Sequence, residues 1–349
     1  MDRKKLPHYN LLITLQDAMV LMSKKPDADK IVSFLDDLTS QEWIKDSSRR
    51  WWPKFVFHFS DIRNVVNILN SGKILSRNAL QKDKGIPIDC ASPIVISQTP
   101  GDEKFYVRLY FRPRTPTQYH MEGIRPKELL QLGGAHCPVP VFLLFDSKEL
   151  LSRENCRFTN GNLGSTRHQK GDTYEFLKNL PFRKIYHVGA FNPNEHEIIF
   201  HRNAEVIFPD ELDLSALRYI VCRSAAEMET LVYLLPFDIW KNCQDKILVE
   251  GKLDLFELRW TFVERVDLSK ELIVFYFSPD TYCKGPFEAE IEIIDKNTGI
   301  KYSGKWPDFH VEKIWRVKVP QNVVSYSLQL TLDDNLTYAN NYIEDDIPF

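Results

Sequence analysis

The stretch FVFHFSDIRNVVNILNSG, residues 55–72, changes its grammar halfway along. Phe55, Phe57 and Phe59 alternate with Val56 and His58, the period-two pattern of a strand. Ser60-Asp61 is then placed to cap a helix. Ile62, Val65, Val66 and Leu69 give that helix its apolar stripe, and Gly72 ends it. A strand running directly into a capped helix predicts a mixed α and β core. It also puts His58 at a strand end, opposite the three phenylalanines. A lone histidine there is ordinarily structural; facing a cleft is the functional alternative.

On the N-terminal side, residues 9–45 read as a helical pair. Leu11, Leu12, Leu15, Ala18, Met19 and Met22 recur at helical spacing, KKPDADK interrupts, and Ile31, Phe34, Leu35 and Leu38 resume the pattern. On the other side, residues 73–101 are polar and irregular, and residues 105–111 read as a strand. VPVFLLFD (139–146) is apolar enough for a strand buried on both faces. TNGNLGSTRHQKGD (159–172) is a polar, Gly-rich loop. HEIIFHRNAEVIFPDEL (196–212) reads as two short strands around Arg202 to Glu205. LRYIVCRS (217–224) reads as a strand and SAAEMETLVYLL (224–235) as a helix.

From about Lys246 the texture becomes β-rich. LFELRWTFVERVDL (255–268), ELIVFYFSP (271–279), FEAEIEIID (287–295), EKIWRVKVP (312–320) and VVSYSLQLTL (323–332) alternate and are separated by turns. Such spacing predicts an antiparallel sandwich or barrel. The expected fold class is therefore α+β. Residues 1–50 form a helical extension, 51–245 the main domain and 246–349 an all-β, sandwich-like domain. The closing YIEDDIPF is expected to be loose.

Composition adds little. Net charge is −3 over 349 residues. Residues 245–349 carry 19 acidic and 12 basic side chains, against 29 and 33 in residues 1–244. The basic excess of the front part suits an anionic substrate. Cys90, Cys137, Cys156, Cys222, Cys243 and Cys283 form no CxxC pattern and no zinc-finger spacing, so they read as reduced thiols and no metal is expected. MDRKKLPHYN has no apolar segment behind it, and no run approaches membrane-spanning length. The expectation is a soluble cytoplasmic protein without a membrane partner.

RLYFRPRTPTQYHMEGIRP, residues 108–126, carries the strongest functional hint. Pro113 and Pro116 restrict Arg112 and Thr115 and leave Arg114 between two fixed points. One reading is a surface turn with solvated arginines. The other is a clamp for an anion or a base, since guanidinium binds planar acceptors bidentately, with Tyr110, Phe111 and Tyr119 as stacking faces. Glu205 opens an apolar β segment. It is either a strand-edge glutamate in water or a cleft carboxylate able to hold a ribose hydroxyl and stabilise an oxocarbenium ion. TNGNLGSTR matches neither a P-loop nor GxGxxG and is either a plain loop or a phosphate-contacting one.

Taken in order, HFSDIRNVVNILNSGKILSR, YFRPRTPTQY, a strand ending in Asp146, RFTNGNLGSTR and RNAEVIFP resemble the DarT family of DNA-modifying ADP-ribosyltransferase toxins, over residues 55–225. The chain looks like a divergent branch: Thr115 replaces a serine, Thr117 replaces a methionine, and both termini are extended. The resemblance implies an ADP-ribosyltransferase fold, a split β-sheet with a cleft for NAD. It implies transfer of ADP-ribose from NAD, used as co-substrate, to a base of single-stranded DNA. Thymine is the family expectation and guanine the alternative. Carried over by motif, Arg114 and Glu205 are catalytic, and His58, Ser60, Asn67, Gly72, Tyr110 and Arg114 bind NAD. Arg112, Tyr119, His120, Asn162, Arg167 and Arg202 are the candidates for DNA contact. A macrodomain antitoxin of the DarG type is the implied partner. The competing expectations are an ADP-ribosyltransferase acting on RNA or protein, and a non-catalytic nucleic-acid-binding module.

Overall fold

The computed structural model describes residues 23–83, 90, 101–130, 134–190, 192, 196–278 and 280–344. The helix expected on Leu11 to Met22 lies outside them. Its companion is helix α1, Ala28–Ser40, which buries Ala28, Ile31, Leu35 and Leu38 along the expected stripe.

The opening stretch forms strand β1, Phe55–Asp61, and helix α2, Ile62–Ser71. The Asp61 carboxylate accepts the Arg63 N–H at 3.0 Å, satisfying one of the free donors of the first turn. Gly72 ends the helix at φ +71°, a left-handed conformation that glycine adopts without a Cβ clash. β1 reaches Asp61, so His58 lies mid-strand rather than at the strand end.

Eight strands make the central sheet: β1, β3 (Tyr106–Tyr110), β4 (Pro140–Asp146), β5 (Arg157–Thr159), β6 (Lys170–Gly171), β7 (Glu205–Pro209), β9 (Leu217–Cys222) and β10 (Ile247–Val249). Their order is β10-β9-β4-β1-β3-β7-β5-β6. β9 and β10 are parallel and the other neighbours antiparallel. A separate pair joins β2, Lys73–Leu75, to β8, Glu211–Asp213. β4 is buried on both faces up to Asp146, as its unbroken apolar run requires.

The sheet is split at its middle. β1 matches β4 along its whole length, Phe55↔Asp146 to Asp61↔Pro140. Between β1 and β3 the ladder narrows to one pair, Phe57↔Tyr110. Phe59 stacks on Tyr110 there, with ring centroids 6.2 Å apart.

Two later segments also differ from expectation. The first half of HEIIFHRNAEVIF is helical. With Pro116–Met121 as helix α3, His196–Arg202 is helix α4, and the two strands of this stretch, Glu205–Pro209 and Glu211–Asp213, both follow it rather than flanking Arg202 to Glu205. Short apolar runs do not distinguish a strand from a single helical turn or two. In LFELRWTFVERVDL the strand begins only at Val263. Residues 250–262 form an irregular strap, with Leu255 and Phe256 buried in the core. The edge strand β10 lies beyond residue 245.

Helix α5, Ala225–Leu234, is capped by Ser224, whose hydroxyl accepts the Glu227 N–H at 3.2 Å. It carries the C-terminal unit: β11 (Val263–Leu268), β12 (Leu272–Phe277), β13 (Phe287–Asp295), β14 (Lys301–Phe309), β15 (Ile314–Lys318), β16 (Tyr326–Leu332) and β17 (Asn335–Tyr342). They form two sheets, β11-β12-β15 and β14-β13-β16-β17. Ile273, Phe275 and Phe277 on one sheet, and Phe287, Ile291, Ile293, Leu328 and Leu330 on the other, are buried, the alternation of a sandwich. The unit is bound to α5 by Thr230, which accepts the Ala339 N–H at 3.1 Å, and by Glu229, which accepts from the Tyr338 hydroxyl at 2.7 Å. Among the described residues no helix is long and apolar enough to cross a membrane. The six cysteines are free.

Candidate active site

Tyr110 ends β3 and Glu205 begins β7, and the two are register partners. The turn after Tyr110 is tied to the residues just before Glu205. The Phe111 N–H donates to the Ala204 carbonyl at 3.3 Å. The Thr117 hydroxyl reaches Asn203 Oδ1 at 3.0 Å. Arg114, Asn203 and Glu205 therefore sit at one end of the sheet, beside its split.

Arg114 adopts φ 53°, which is uncommon for a residue with a Cβ. The conformation is over-determined. Thr115 caps α3 through Gln118 N–H at 3.1 Å, Pro116 occupies the first helical turn, and Gln118 Oε1 accepts the Arg114 N–H at 2.7 Å. The guanidinium is held by two carboxylates from the strap. Nη1 donates to Asp254 Oδ1, and Nη2 to Glu257 Oε2 at 3.4 Å. Their charges raise the Arg114 pKa against the opposing effect of burial. The strap is itself anchored. The buried Glu122 carboxylate accepts the N–H groups of Glu257 at 3.0 Å and Leu258 at 3.1 Å, and the Leu255 carbonyl accepts from Gln118 Nε2 at 2.8 Å.

Glu205 is 1% exposed. The loop after β5 covers it, and one carboxylate oxygen accepts the Leu163 N–H at 3.2 Å. Its own N–H donates to the Thr159 hydroxyl at 2.9 Å. Burial pushes its pKa up to about 7, with Arg108 and the Leu163 amide pulling the other way. Burial and the nearby Glu205 charge also raise the Tyr110 phenol.

Across the split, His58 Nδ1 lies 3.0 Å from the Arg108 carbonyl of β3. A carbonyl only accepts, so Nδ1 carries the proton. Burial lowers the imidazole pKa and keeps the ring neutral, which leaves Nε2 as an acceptor. His58 thus bridges β1 and β3 where the ladder is missing.

The other sequence candidates separate. Arg112 is a correction: it is 3% exposed and lies inside the protein rather than on a DNA-facing surface. It donates to the carbonyls of Pro113 (2.9 Å), Ile185 (3.1 Å) and His187, and packs on Trp52. Arg202 lies near Arg114 and Glu257 and donates to the Gly189 carbonyl at 2.9 Å and to His187. Ser60 accepts from Asn64 at 3.1 Å, Asn67 is exposed on α2, and Gly72 is that helix's left-handed cap. Tyr119 is exposed and sits edge-on to the half-buried His120. Asn162 caps its own loop by accepting the Gly164 N–H at 2.8 Å, and the exposed Arg167 lies over Phe200. Sequence reasoning missed Asp254, Glu257, Glu122, Gln118 and Asn203. Only the acids flanking Leu255-Phe256 hinted that this segment meets a cation.

Chemically, a buried carboxyl that ionises near neutrality, a neutral imidazole acceptor and an aromatic pair sit at the parting of a sheet, and a guanidinium fixed by the strap lies on the turn tied to them through Asn203 and Ala204. A family model described as "ssDNA thymidine ADP-ribosyltransferase, DarT" matches residues 57–253. No curated protein matches the chain. Among solved structures, the chain is similar to Thermus sp. 2.9 DarT in complex with ADP-ribosylated ssDNA, at 17% identity and a TM-score of 0.46, over 58% of this chain and 96% of that one. It is similar to the same protein in complex with NAD+, at 17% identity and a TM-score of 0.44, over 58% and 97%. It is also similar to Thermosipho africanus DarTG in complex with ADP-ribose, at 15% identity and a TM-score of 0.43, over 62% and 53%.

Proposed function

The chain belongs to the DarT family as a divergent member, and from that premise we propose that it transfers ADP-ribose from NAD to a base of single-stranded DNA. The carrying observation is the buried Glu205 carboxyl beside the split, paired in register with Tyr110 and tied through Asn203 and Ala204 to the Arg114 turn. In this reaction the bond from ribose C1′ to nicotinamide breaks, a bond from C1′ to a base nitrogen forms, and that nitrogen gives up its proton.

Each residue has a physical task. Ionised Glu205 accepts hydroxyl hydrogen bonds from the nicotinamide ribose and faces the positive charge that grows at C1′. In a buried site that electrostatic effect is stronger than in water. The Nε2 of His58 accepts from a hydroxyl of NAD. Arg114, a permanent cation, steadies the base as its nitrogen becomes nucleophilic. Tyr110 and Phe59 wall the cleft. Thymine is the proposed base, following the family description. We extend the proposal to a toxin acting in the cytoplasm, opposed by a macrodomain antitoxin of the DarG type.

The test is incubation of the purified chain with NAD and single-stranded oligonucleotides of each base, alongside RNA and protein acceptors. Label on a thymine-containing DNA, lost in Glu205→Ala, supports the proposal. Label confined to RNA or protein would replace its acceptor, and NAD turnover indifferent to Glu205 would remove its site.

A further inference from the structure

The arginines lining the Arg114 turn are engaged: Arg112 by backbone carbonyls, Arg114 by Asp254 and Glu257, Arg125 by the His120 carbonyl, and Arg202 by His187 and Gly189. Arg259, two residues beyond Glu257 on the strap, is different. Its guanidinium carbon lies 3.8 Å from the Tyr119 ring centroid and 4.8 Å from that of Tyr282. Among the described residues its guanidinium makes these ring contacts, with a longer one to Trp260, and no hydrogen bond or ion pair. Both tyrosines are open to solvent, Tyr119 at 41% and Tyr282 at 72% exposure.

The group is held from three directions. Tyr119 lies on the first turn of α3, its N–H donating to Thr115 at 3.0 Å, so it stands next to the Arg114 turn. Arg259 is on the strap whose acids hold Arg114. Tyr282 comes from the C-terminal unit, and its N–H donates to the Arg259 carbonyl at 2.8 Å. Rings close to a guanidinium restrict its motion while leaving its in-plane N–H donors available, so little further ordering is needed to bind a planar anion. Exposed tyrosine faces accept unstacked bases of any sequence. Alternating bases and phosphates are the chemistry of a single nucleic-acid strand.

We propose that Tyr119, Arg259 and Tyr282 form a subsite for single-stranded DNA flanking the target base, with phosphate on Arg259 and bases on the two rings. The inference rests on the DNA-modifying reading above and assigns the strap and the C-terminal unit a part in substrate binding. It also locates a cation on the otherwise acidic C-terminal part of the chain, at its junction with the site.

The experiment is fluorescence anisotropy of a labelled single-stranded DNA of about twelve nucleotides, and of an RNA of the same sequence, against the full chain without NAD, which reads binding separately from catalysis. Arg259→Ala and Tyr282→Ala are each expected to weaken binding about 5- to 100-fold, the range for one base–aromatic contact or one charge-assisted contact. Arg259→Ala should also flatten the salt dependence by about 0.7 in log–log slope. Tyr282→Phe, which keeps the ring face, should bind as wild type does. With Tyr282 so exposed, its removal leaves the core intact, and urea midpoints check this for each variant. Unchanged DNA affinity in both alanine variants, or a loss seen with RNA and not DNA, would overturn the subsite. A wild type that binds DNA through these residues but never modifies it would instead overturn the proposed reaction.

Discussion

Glu205→Gln is expected to stabilise the protein above neutral pH while abolishing its activity. Glutamate ordinarily titrates at 4.5, and burial raises Glu205 to about 7. At about 1.36 kcal/mol per pKa unit, ionising it in the folded state costs about 3 kcal/mol more than in the unfolded chain. The folded protein holds the proton more tightly, so the stability linked to it is fully present below pH 4.5 and is lost as pH rises through 7. Glutamine has the same shape, accepts the Leu163 N–H and never ionises. Its advantage over wild type should be about 1 kcal/mol near pH 5.5 and about 3 kcal/mol near pH 8, an increase of roughly 2 kcal/mol. Urea denaturation of both proteins at the two pH values measures this directly through the midpoint and slope. A difference that stays constant with pH would refute the buried, half-ionised carboxyl. In the same pH range, kcat/KM of the wild type should climb through about 7 as the carboxylate forms.

Arg112→Ala should destabilise the fold by about 3 kcal/mol, because it strips the buried Ile185 carbonyl and the partly buried His187 carbonyl of their donor, and urea unfolding reads the loss. An effect below about 0.5 kcal/mol would return Arg112 to the surface. Removing the Arg114 carboxylates with Asp254→Asn and Glu257→Gln should lower kcat about tenfold, for about 1.4 kcal/mol of lost positioning, with KM for NAD little changed; a rise in KM alone would contradict this role. Gly161→Ala would set a Cβ 2.3 Å from the Phe200 ring and shift the loop whose Leu163 N–H holds Glu205. It should cost about 1–3 kcal/mol of stability and raise KM for NAD, read by unfolding and initial rates.

The parts legible in the sequence were those written locally. The Phe55–Gly72 stretch gave strand, cap, helix and stop because each signal acts within a few residues. FEAEIEIID was expected as a strand, and β13 spans Phe287–Asp295 because both faces of a sandwich strand obey a period of two. Tyr110 and Glu205 come together because β3 pairs with β7, and the Arg114 turn is tied beside them through Thr117 and Asn203; motif order implied that pairing without showing it. Arg112 misled because the carbonyls that bury it arrive more than 70 residues later. The strap misled because its apolar and charged residues alternate like a strand, while its real partners, Glu122 and Gln118, lie far upstream. His196–Arg202 misled because a short helix in an apolar run carries no distinctive period.

The most direct test of the central claim is the intact mass of a single-stranded, thymine-containing oligonucleotide after incubation with the purified chain and NAD. One added ADP-ribosyl unit is expected, dependent on NAD, absent from an oligonucleotide without thymine, and lost with Glu205→Ala. An unmodified strand while NAD is consumed, or an adduct that persists in Glu205→Ala, would contradict the account.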